Sequence, residues 1–328
     1  MDSARAGRWV SAAVALHVIQ VPPALAQSAS EFPSRPIRFI VPVAPGAGND
    51  TTARAIGQKL TQALGQQVIV DNRAGASGAI AFGLLTKAHP DGHTLLMAAA
   101  SHPINTVVLS TWPYDLTKHT TPVSQATSLS YVVYTHPSVP FTNFKDLIAY
   151  GRKYPGKLNY GTPGTASLQH LGWELIGHSM GARFTHIPYK GGAPAIQATL
   201  AGELQFGFIT VISLRPHLAA GRVRAIAVSG KQRMPAMPDL PTIAEMGVPG
   251  YELEQWYGVV TTGKTPPAIV NRLSAAIADA VRSPDVAQRL AADGSTPVGS
   301  TAEQFGTLIR SEMTKWRKVM KETGIVLN

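Results

Sequence analysis

The sequence predicts an α/β protein built from two βα lobes. Three observations carry that expectation. Short apolar runs alternate with amphipathic helical patterns in two separate stretches. Each stretch contains a strand–glycine turn–helix join. Two extended segments, near residues 130–136 and 252–260, cross between the stretches. Strands alternating with helices make a mostly parallel sheet covered by helices on both faces. Two such units joined by two crossings leave a cleft between them.

The first unit opens with "RFIVPV", an apolar strand, followed by "DTTARAIGQKLTQAL", whose apolar residues recur at helical spacing. "QVIVDN" is a β-branched strand. "GASGAIAFGLLTKA" starts in glycines and becomes helical, and "DGHTLLMAA" is a turn and a strand. The second unit begins at "KLNYGTPG", a strand and turn, and "SLQHLGWELIGHSMG", a helix closed by Gly181. "THIPYKGG" is a strand and loop, "APAIQATLAG" a helix closed by Gly202, and "LQFGFIT" and "VRAIAVSG" are strands. The C-terminal part reads as helices: "PPAIVNRLSAAIADAVRS", "PDVAQRLAADG" and "TAEQFGTLIRSEMTKWRKVMKETG".

Composition narrows the class. The chain has 328 residues, of which 45% are hydrophobic and 15% charged, a globular balance long enough for two lobes. It has 0 cysteines, which excludes disulfides and thiolate metal sites. At the N-terminus Arg5 and Arg8 precede the apolar "WVSAAVALHVIQV", and Ala24 and Ala26 have small-x-small spacing. This pattern predicts a secretory signal peptide over residues 1–26 and export from the cytoplasm. Its removal lowers the formal charge from +10 to +9, because Asp2, Arg5 and Arg8 leave with it. The densest basic run, Lys315, Arg317, Lys318 and Lys321, sits on a helical pattern and reads as a solvated face. No aromatic-interleaved basic patch suits single-stranded nucleic acid, so no nucleic-acid partner is expected.

The opening loop holds the first candidate site. Gly46 and Gly48 follow a strand, and Asp71 ends the next strand about 20 residues on, which partly fits a dinucleotide fingerprint. Thr51 occupies the place of the third glycine, so the motif is incomplete. What survives is an anion site of Gly46, Ala47, Gly48, Asn49 and Asp50. Glycines permit close backbone approach, and Asn49 or Asp50 can cap the helix. The free N–H groups and the helix dipole then face a ligand. Asp50 has two readings: it braces the loop, or it accepts a hydrogen bond from the ligand.

"GVVTTGKT", residues 258–265, matches the phosphate-loop pattern letter for letter. Pro266 and Pro267 follow at once and supply no N–H, so the match is rejected. Thr265 is read instead as the N-cap of a helix with proline at its first position. The stronger partner is "NYGTPGTASLQHL", where Gly161, Thr162, Gly164, Thr165 and Ser167, with Ala166 inside the same turn, repeat the opening loop's logic at a second helix N-terminus. His170, one turn later, reads as a packing residue or a ligand contact. Trp256 and Tyr257, at the second crossing, read equally as cleft floor or core.

No catalytic constellation appears. There is no G-x-S-x-G elbow and no H-E-x-x-H, and the histidines lack metal spacing. Catalytic residues, metal and cofactor are therefore all expected to be none. An exported enzyme with Ser77 or Ser167 as nucleophile is the weaker rival, since it lacks an identifiable base.

Eight segments in order, "VPVAPGAGNDTTAR", "DNRAGASGAIA", "HPDGHTLLM", "YGTPGTASLQHLGWEL", "HIPYKGGAPAIQATLAGE", "GRVRAIAVSGKQR", "LPTIAEMGVPGYE" and the W-Y-G…TPPAIVNRL run, resemble the Bug family. These are the extracytoplasmic solute receptors of tripartite tricarboxylate transporters. The resemblance runs from about Pro33 to the C-terminus. It implies a two-lobed periplasmic-binding-protein fold, type II-like, with a mostly parallel sheet in each lobe and a hinge of two crossings. The expected lobes are residues 35–132 plus 255–328, and 133–254. It implies a periplasmic protein that closes around a small carboxylate, held largely by backbone N–H groups and ordered waters. The segments it assigns to that task are residues 45–50, 76–79 (hence Ser77, Gly78 and Ala79), the strand end at Ser101, and 162–167. The wall after "LQFGF" adds Ile209.

Two departures from the family pattern matter. Ala47 stands where a second glycine is common. Ile209 stands where an acid is frequent, which weakens a receptor for amino acids and favours an aromatic or aliphatic carboxylate. The expected partners are the carboxylate and the membrane subunits of a tripartite tricarboxylate transporter, or a sensor kinase in a signalling variant. The receptor itself is expected to be a monomer.

Overall fold

The computed structural model describes residues 32–189, 191–292 and 294–323. The signal peptide expected over residues 1–26 lies outside the described residues. The chain begins with three strands of one sheet, β1 (Ile37–Val41), β2 (Val68–Asn72) and β3 (Thr94–Ala99). They alternate with helices α1 (Gly48–Leu64), α2 (Ala79–Thr86) and α3 (Ser101–Val108). A single 3-10 turn, Ala76–Gly78, leads into α2. The short α4 (Leu116–His119) precedes β4 (Thr120–Ser130).

Only Tyr131 separates β4 from β5 (Val132–Thr135), which belongs to a second sheet. There follow α5 (Phe144–Lys153), β6 (Asn159–Thr162), α6 (Leu168–Met180), β7 (Thr185–Pro188), α7 (Gly192–Leu200), β8 (Phe206–Ile209), α8 (Val211–Ala219) and β9 (Arg224–Val228). The chain then returns to the first sheet as β10 (Glu254–Thr262). It ends in α9 (Pro267–Arg282), α10 (Pro284–Ala292), β11 (Thr296–Pro297) and α11 (Ala302–Thr323).

The strand orders are β11-β4-β10-β3-β1-β2 and β7-β6-β8-β5-β9. β1 pairs in parallel with β2 and β3, and β6 with β7 and β8. The expected mostly parallel sheets need one refinement. β10 runs antiparallel to both β3 and β4, and β5 antiparallel to both β8 and β9. These inverted strands are the ones that arrive from the other sheet. No helical crossover turns the chain round before them, so each sheet is mixed at its centre.

One serine ties the two crossings together. The buried Ser229 N–H donates to Tyr131 O at 2.9 Å, and Tyr131 N–H donates back to Ser229 Oγ at 2.8 Å. Ser229 Oγ donates to Leu253 O at 2.6 Å, and Leu253 N–H donates to Ser229 O at 2.9 Å. Tyr131 lies on the outward crossing and Leu253 on the return.

Packing explains several residues that carried no obvious signal. Trp173 of α6 sits among Phe206, Phe208 and Tyr160, with ring centroids 4.5, 4.6 and 5.9 Å away. Trp256 packs edge-on against Phe305 at 5.3 Å, so this member of the Trp256–Tyr257 pair is core. A Cβ on Gly258 would run into the Phe305 ring, which accounts for glycine there. The false phosphate loop ends with β10 at Thr262, and Pro266 rather than Thr265 is the N-cap of α9. Thr265 Oγ1 instead donates to Thr262 O at 2.8 Å. Of the basic run on α11, Arg317, Lys318 and Lys321 are exposed. Lys315 pairs with Glu312 on the same helix. No helix of the described residues is long and apolar enough to cross a membrane.

Candidate functional site

A cleft of about 880 Å³ is lined by loops of both sheets. From the first come Ala47, Gly48 and Asn49 at the head of α1, Ser77 and Gly78 before α2, and Ser101 and His102 at the head of α3. From the second come Thr165, Ala166 and Ser167 before α6, and Gly191 and Gly192 at the head of α7. Gln255 and Tyr257 of β10 complete the first sheet's contribution. Five helices, each of at least eight residues, thus start at one cleft. Their first N–H groups lack intrahelical partners, and their dipoles place partial positive charge at that end. Among the described residues lining the cleft there is no Asp, Glu, Lys or Arg.

The lining loops are bent into unusual conformations. Ala76, Ser77 and Ala166 have φ of 46°, 53° and 62°, in the left-handed region that ordinary residues avoid. Gly78, at φ 97°, follows directly. Such strain costs on the order of 1–3 kcal/mol per residue and concentrates at binding sites.

Asp50 shows how the first loop holds its shape. Its Oδ2 accepts Gly46 N–H at 2.8 Å and Arg54 Nε–H at 3.1 Å, and its Oδ1 accepts Asn72 Nδ2–H at 2.8 Å. The residue is 2% exposed. Burial alone would raise its pKa, but Arg54, the Gly46 N–H and Asn72 together hold the carboxyl below the usual range. The N-cap of α1 is Ala47, with no side-chain cap, rather than Asn49 or Asp50. Asp50 lies one turn in and reaches back to the loop, because a carboxylate there satisfies an N–H the helix cannot. Asp71, the would-be ribose ligand of a dinucleotide fold, is engaged by Arg38 at 2.6 Å and Arg73 at 2.9 Å.

The second loop is braced in the same manner. Ser167 Oγ caps α6 by accepting His170 N–H at 3.3 Å. Ala166 N–H donates to His170 Nδ1 at 3.2 Å, and Thr162 Oγ1 accepts Gly164 N–H at 3.2 Å. Thr162, Gly164 and His170 therefore stand behind the lining residues Thr165–Ser167. Gly46, Asp50 and Ala79 hold the corresponding place behind the first loop and the 3-10 turn. None of these six is a lining residue of the cleft.

Ile209 lies elsewhere. It lines a neighbouring cavity of about 320 Å³ with Tyr131, Tyr134, Ile196 and Phe208. Pro163 and Gly192 line both cavities. Gln169, Thr210, Ser213 and His217 put polar groups on its wall.

Sequence reading missed His102, Asn105, Gln255 and the Gly191–Gly192 turn. The turn had a usable signal, since "YKGG" precedes a helix just as the other two loops do. His102 had none beyond its place after a strand. Its Nδ1 accepts Ala99 N–H at 2.8 Å, and its ring packs on Phe82 at 4.9 Å and Trp112 at 6.0 Å. Burial pushes its pKa down to about 4.

Comparison with known proteins fixes the family. The model of the tripartite tricarboxylate transporter family receptor matches residues 52–325. This chain belongs to that family. Protein BugT of Bordetella pertussis is 34% identical over 302 residues, covering 92% of this chain and 93% of BugT. The solved structure of R. palustris Rpa4515 with adipate superposes with a TM-score of 0.78 at 34% identity, over 90% of this chain and 99% of that one. MatC (Rpa3494) from Rhodopseudomonas palustris with bound malate gives 0.74 at 28% identity, over 88% and 99%. The fold is thus the two-lobed periplasmic-binding-protein fold, and the chain is a solute receptor of the Bug type.

Proposed function

We propose that this receptor captures a small carboxylate between its lobes in the periplasm and presents it, as a monomer, to the membrane subunits of a tripartite tricarboxylate transporter. The observation that carries the reading is the convergence of five helix N-termini, from both sheets, on one cleft. Such ends favour anions. Adipate and malate in the two structural relatives support a carboxylate as the anion.

Magnitudes divide the work. One helix N-terminus contributes up to about 2 kcal/mol to a partly buried anion. Micromolar binding needs about 8 kcal/mol. The dipoles orient the carboxylate, while hydrogen bonds from N–H and hydroxyl groups and burial of the ligand's apolar body supply the remainder. The neighbouring cavity of Ile196, Phe208 and Ile209 suits that body, so an aliphatic or aromatic carboxylate fits better than an amino acid. A ligand touching both loops stabilises the closed arrangement of the lobes about the Ser229 crossing.

The test is a thermal-shift screen with acetate, malate, adipate, citrate, benzoate and terephthalate, beside glucose and lysine. Stabilisation grows with ligand concentration over Kd. At least one of the carboxylates raises the melting temperature and the sugar does not. A shift with glucose or lysine alone refutes the reading.

A further inference from the structure

We propose that His102 is a ligand-contacting residue of the cleft, its Nε2–H a fixed uncharged donor to the solute's carboxylate. The proposal rests on the carboxylate reading above and adds a specific side chain to it.

The geometry fixes the tautomer. A neutral imidazole carries one proton, on one of its two nitrogens. Nδ1 accepts the Ala99 N–H at 2.8 Å, so the proton sits on Nε2. The residue is 3% exposed, and no described protein group accepts from Nε2. His102 lines the cleft, and its Nε2 is not sealed in the core as the Trp112 and Trp173 indole nitrogens are, so the donor is open to a ligand in the cleft. Nε2 also lies against the Gly78 turn, where an added Cβ would stand 2.8 Å from it. Glycine at that position leaves the nitrogen room.

The surroundings hold the ring still. Phe82 and Trp112 pack against it. Asn105, one turn further along α3, donates to Ser77 O at 3.3 Å and joins the helix to the same turn. The first turn of α3 therefore fixes the end of β3 through His102 and Ala99, and the next turn fixes the lining turn through Asn105 and Ser77. The donor between them is preorganised, which avoids an ordering cost on binding. Protonation would add a second donor facing the Ala99 N–H, and burial opposes it. His102 thus offers a hydrogen bond, not an ion pair, and selects a ligand atom that only accepts.

Two variants separate contact from scaffold. His102→Asn places an amide oxygen near Nδ1, keeping the Ala99 bond while removing the cleft donor. His102→Gln places an amide nitrogen near Nε2. Wild type and both variants are titrated calorimetrically with each of the six carboxylates. The carboxylate with the largest thermal shift is then added to ¹⁵N-histidine-labelled wild type.

The expected result is a loss of about tenfold to a hundredfold in affinity for His102→Asn, with most of it recovered in His102→Gln. NMR of wild type shows a protonated Nε2 that moves on adding the carboxylate. Binding by His102→Asn at the wild-type level overturns the proposal, as does an Nε2 signal indifferent to ligand or a proton on Nδ1. If His102→Asn does not fold, the wild-type spectra decide alone. If none of the six carboxylates binds wild type, the carboxylate reading itself falls and this proposal with it. A silent Nε2 in a protein that binds is the distinct failure.

Discussion

The imidazoles of His170 and His186 lie face to face, 3.8 Å between ring centroids and 14° from parallel. They stand directly behind the loop that lines the second side of the cleft. His170 Nδ1 accepts Ala166 N–H, and His186 Nε2 lies 2.6 Å from Thr162 Oγ1. Glu174 sits beside them, 3.9 Å from His170 Nε2, with Tyr160 Oη donating to it at 2.7 Å. Two stacked imidazoles cannot both become cations without repulsion. Burial, and then the neighbouring His170, push His186 down to about 4, with Glu174 opposing. Burial lowers His170 as well.

This arrangement makes stability sensitive to acid. His186 and His102 both titrate near 4 in the folded protein, below their ordinary 6.5. Between those values the unfolded chain binds more protons than the folded one. Stability is therefore full above about pH 6.5 and is lost as the pH falls towards 4. The melting temperature falls by roughly 5 °C or more across that interval. His186→Gln removes one of the titrating groups, so its melting curve against pH is flatter. An equally steep curve in the variant means that the stack does not act on stability.

Asp50 yields a second expectation. Its three hydrogen bonds hold the Gly46 loop to Arg54 and Asn72. Asp50→Asn leaves one acceptor oxygen where there were two, so it loses either the Asn72 bond or the Gly46 and Arg54 bonds and removes the charge from the rest, at a cost of about 1–3 kcal/mol of stability. Its effect on carboxylate affinity is smaller than its effect on melting. Loss of affinity at an unchanged melting temperature would mean that Asp50 touches the ligand.

Ser229 joins the two crossings by hydrogen bonds that reach Tyr131 and Leu253. Ser229→Ala keeps the two backbone bonds and removes both that use Oγ. It leaves Tyr131 N–H and Leu253 O without their hydroxyl partner in a buried place, at a cost of about 1–3 kcal/mol. Because the hinge loosens while the lining loops stay intact, small-angle scattering without ligand reports a wider average opening. Scattering identical to wild type would show the staple to be irrelevant to closure.

Much of this fold was legible in the sequence because hydrophobic period and glycine turns are local signals. The βα alternation of both units and the two loops at residues 45–50 and 162–167 could be read directly. The strand β4 could not. Its "TTPVSQATSLS" alternates poorly, because it is held between β10 and β11 and packed against α9 and α11, partners far away in sequence. Helix α3 escaped for a related reason: eight residues containing Pro103 show no clear period. With α3 went His102 and Asn105. Site residues that act through side chains fixed by distant packing leave no local trace, whereas glycine-rich helix starts do.

Ile209 offers a test of ligand class. It ends β8 opposite Val132 of β5, is 6% exposed, and lines the cavity next to the cleft. The apolar wall of Ile196, Phe208 and Ile209 gives a ligand's distal ammonium no counter-charge. Ile209→Asp introduces one, at the cost of burying a carboxylate. Adipate and 6-aminohexanoate have the same length and differ at one end, which makes them a matched pair. Wild type binds adipate better than 6-aminohexanoate. In the variant, adipate affinity falls by at least about tenfold through like-charge repulsion, and 6-aminohexanoate gains on it. A melting curve run alongside separates this from unfolding, since any ligand-specific reversal requires a folded cleft. If the variant folds and the two ligands keep their wild-type ratio, the distal end of the ligand does not enter the Ile209 cavity.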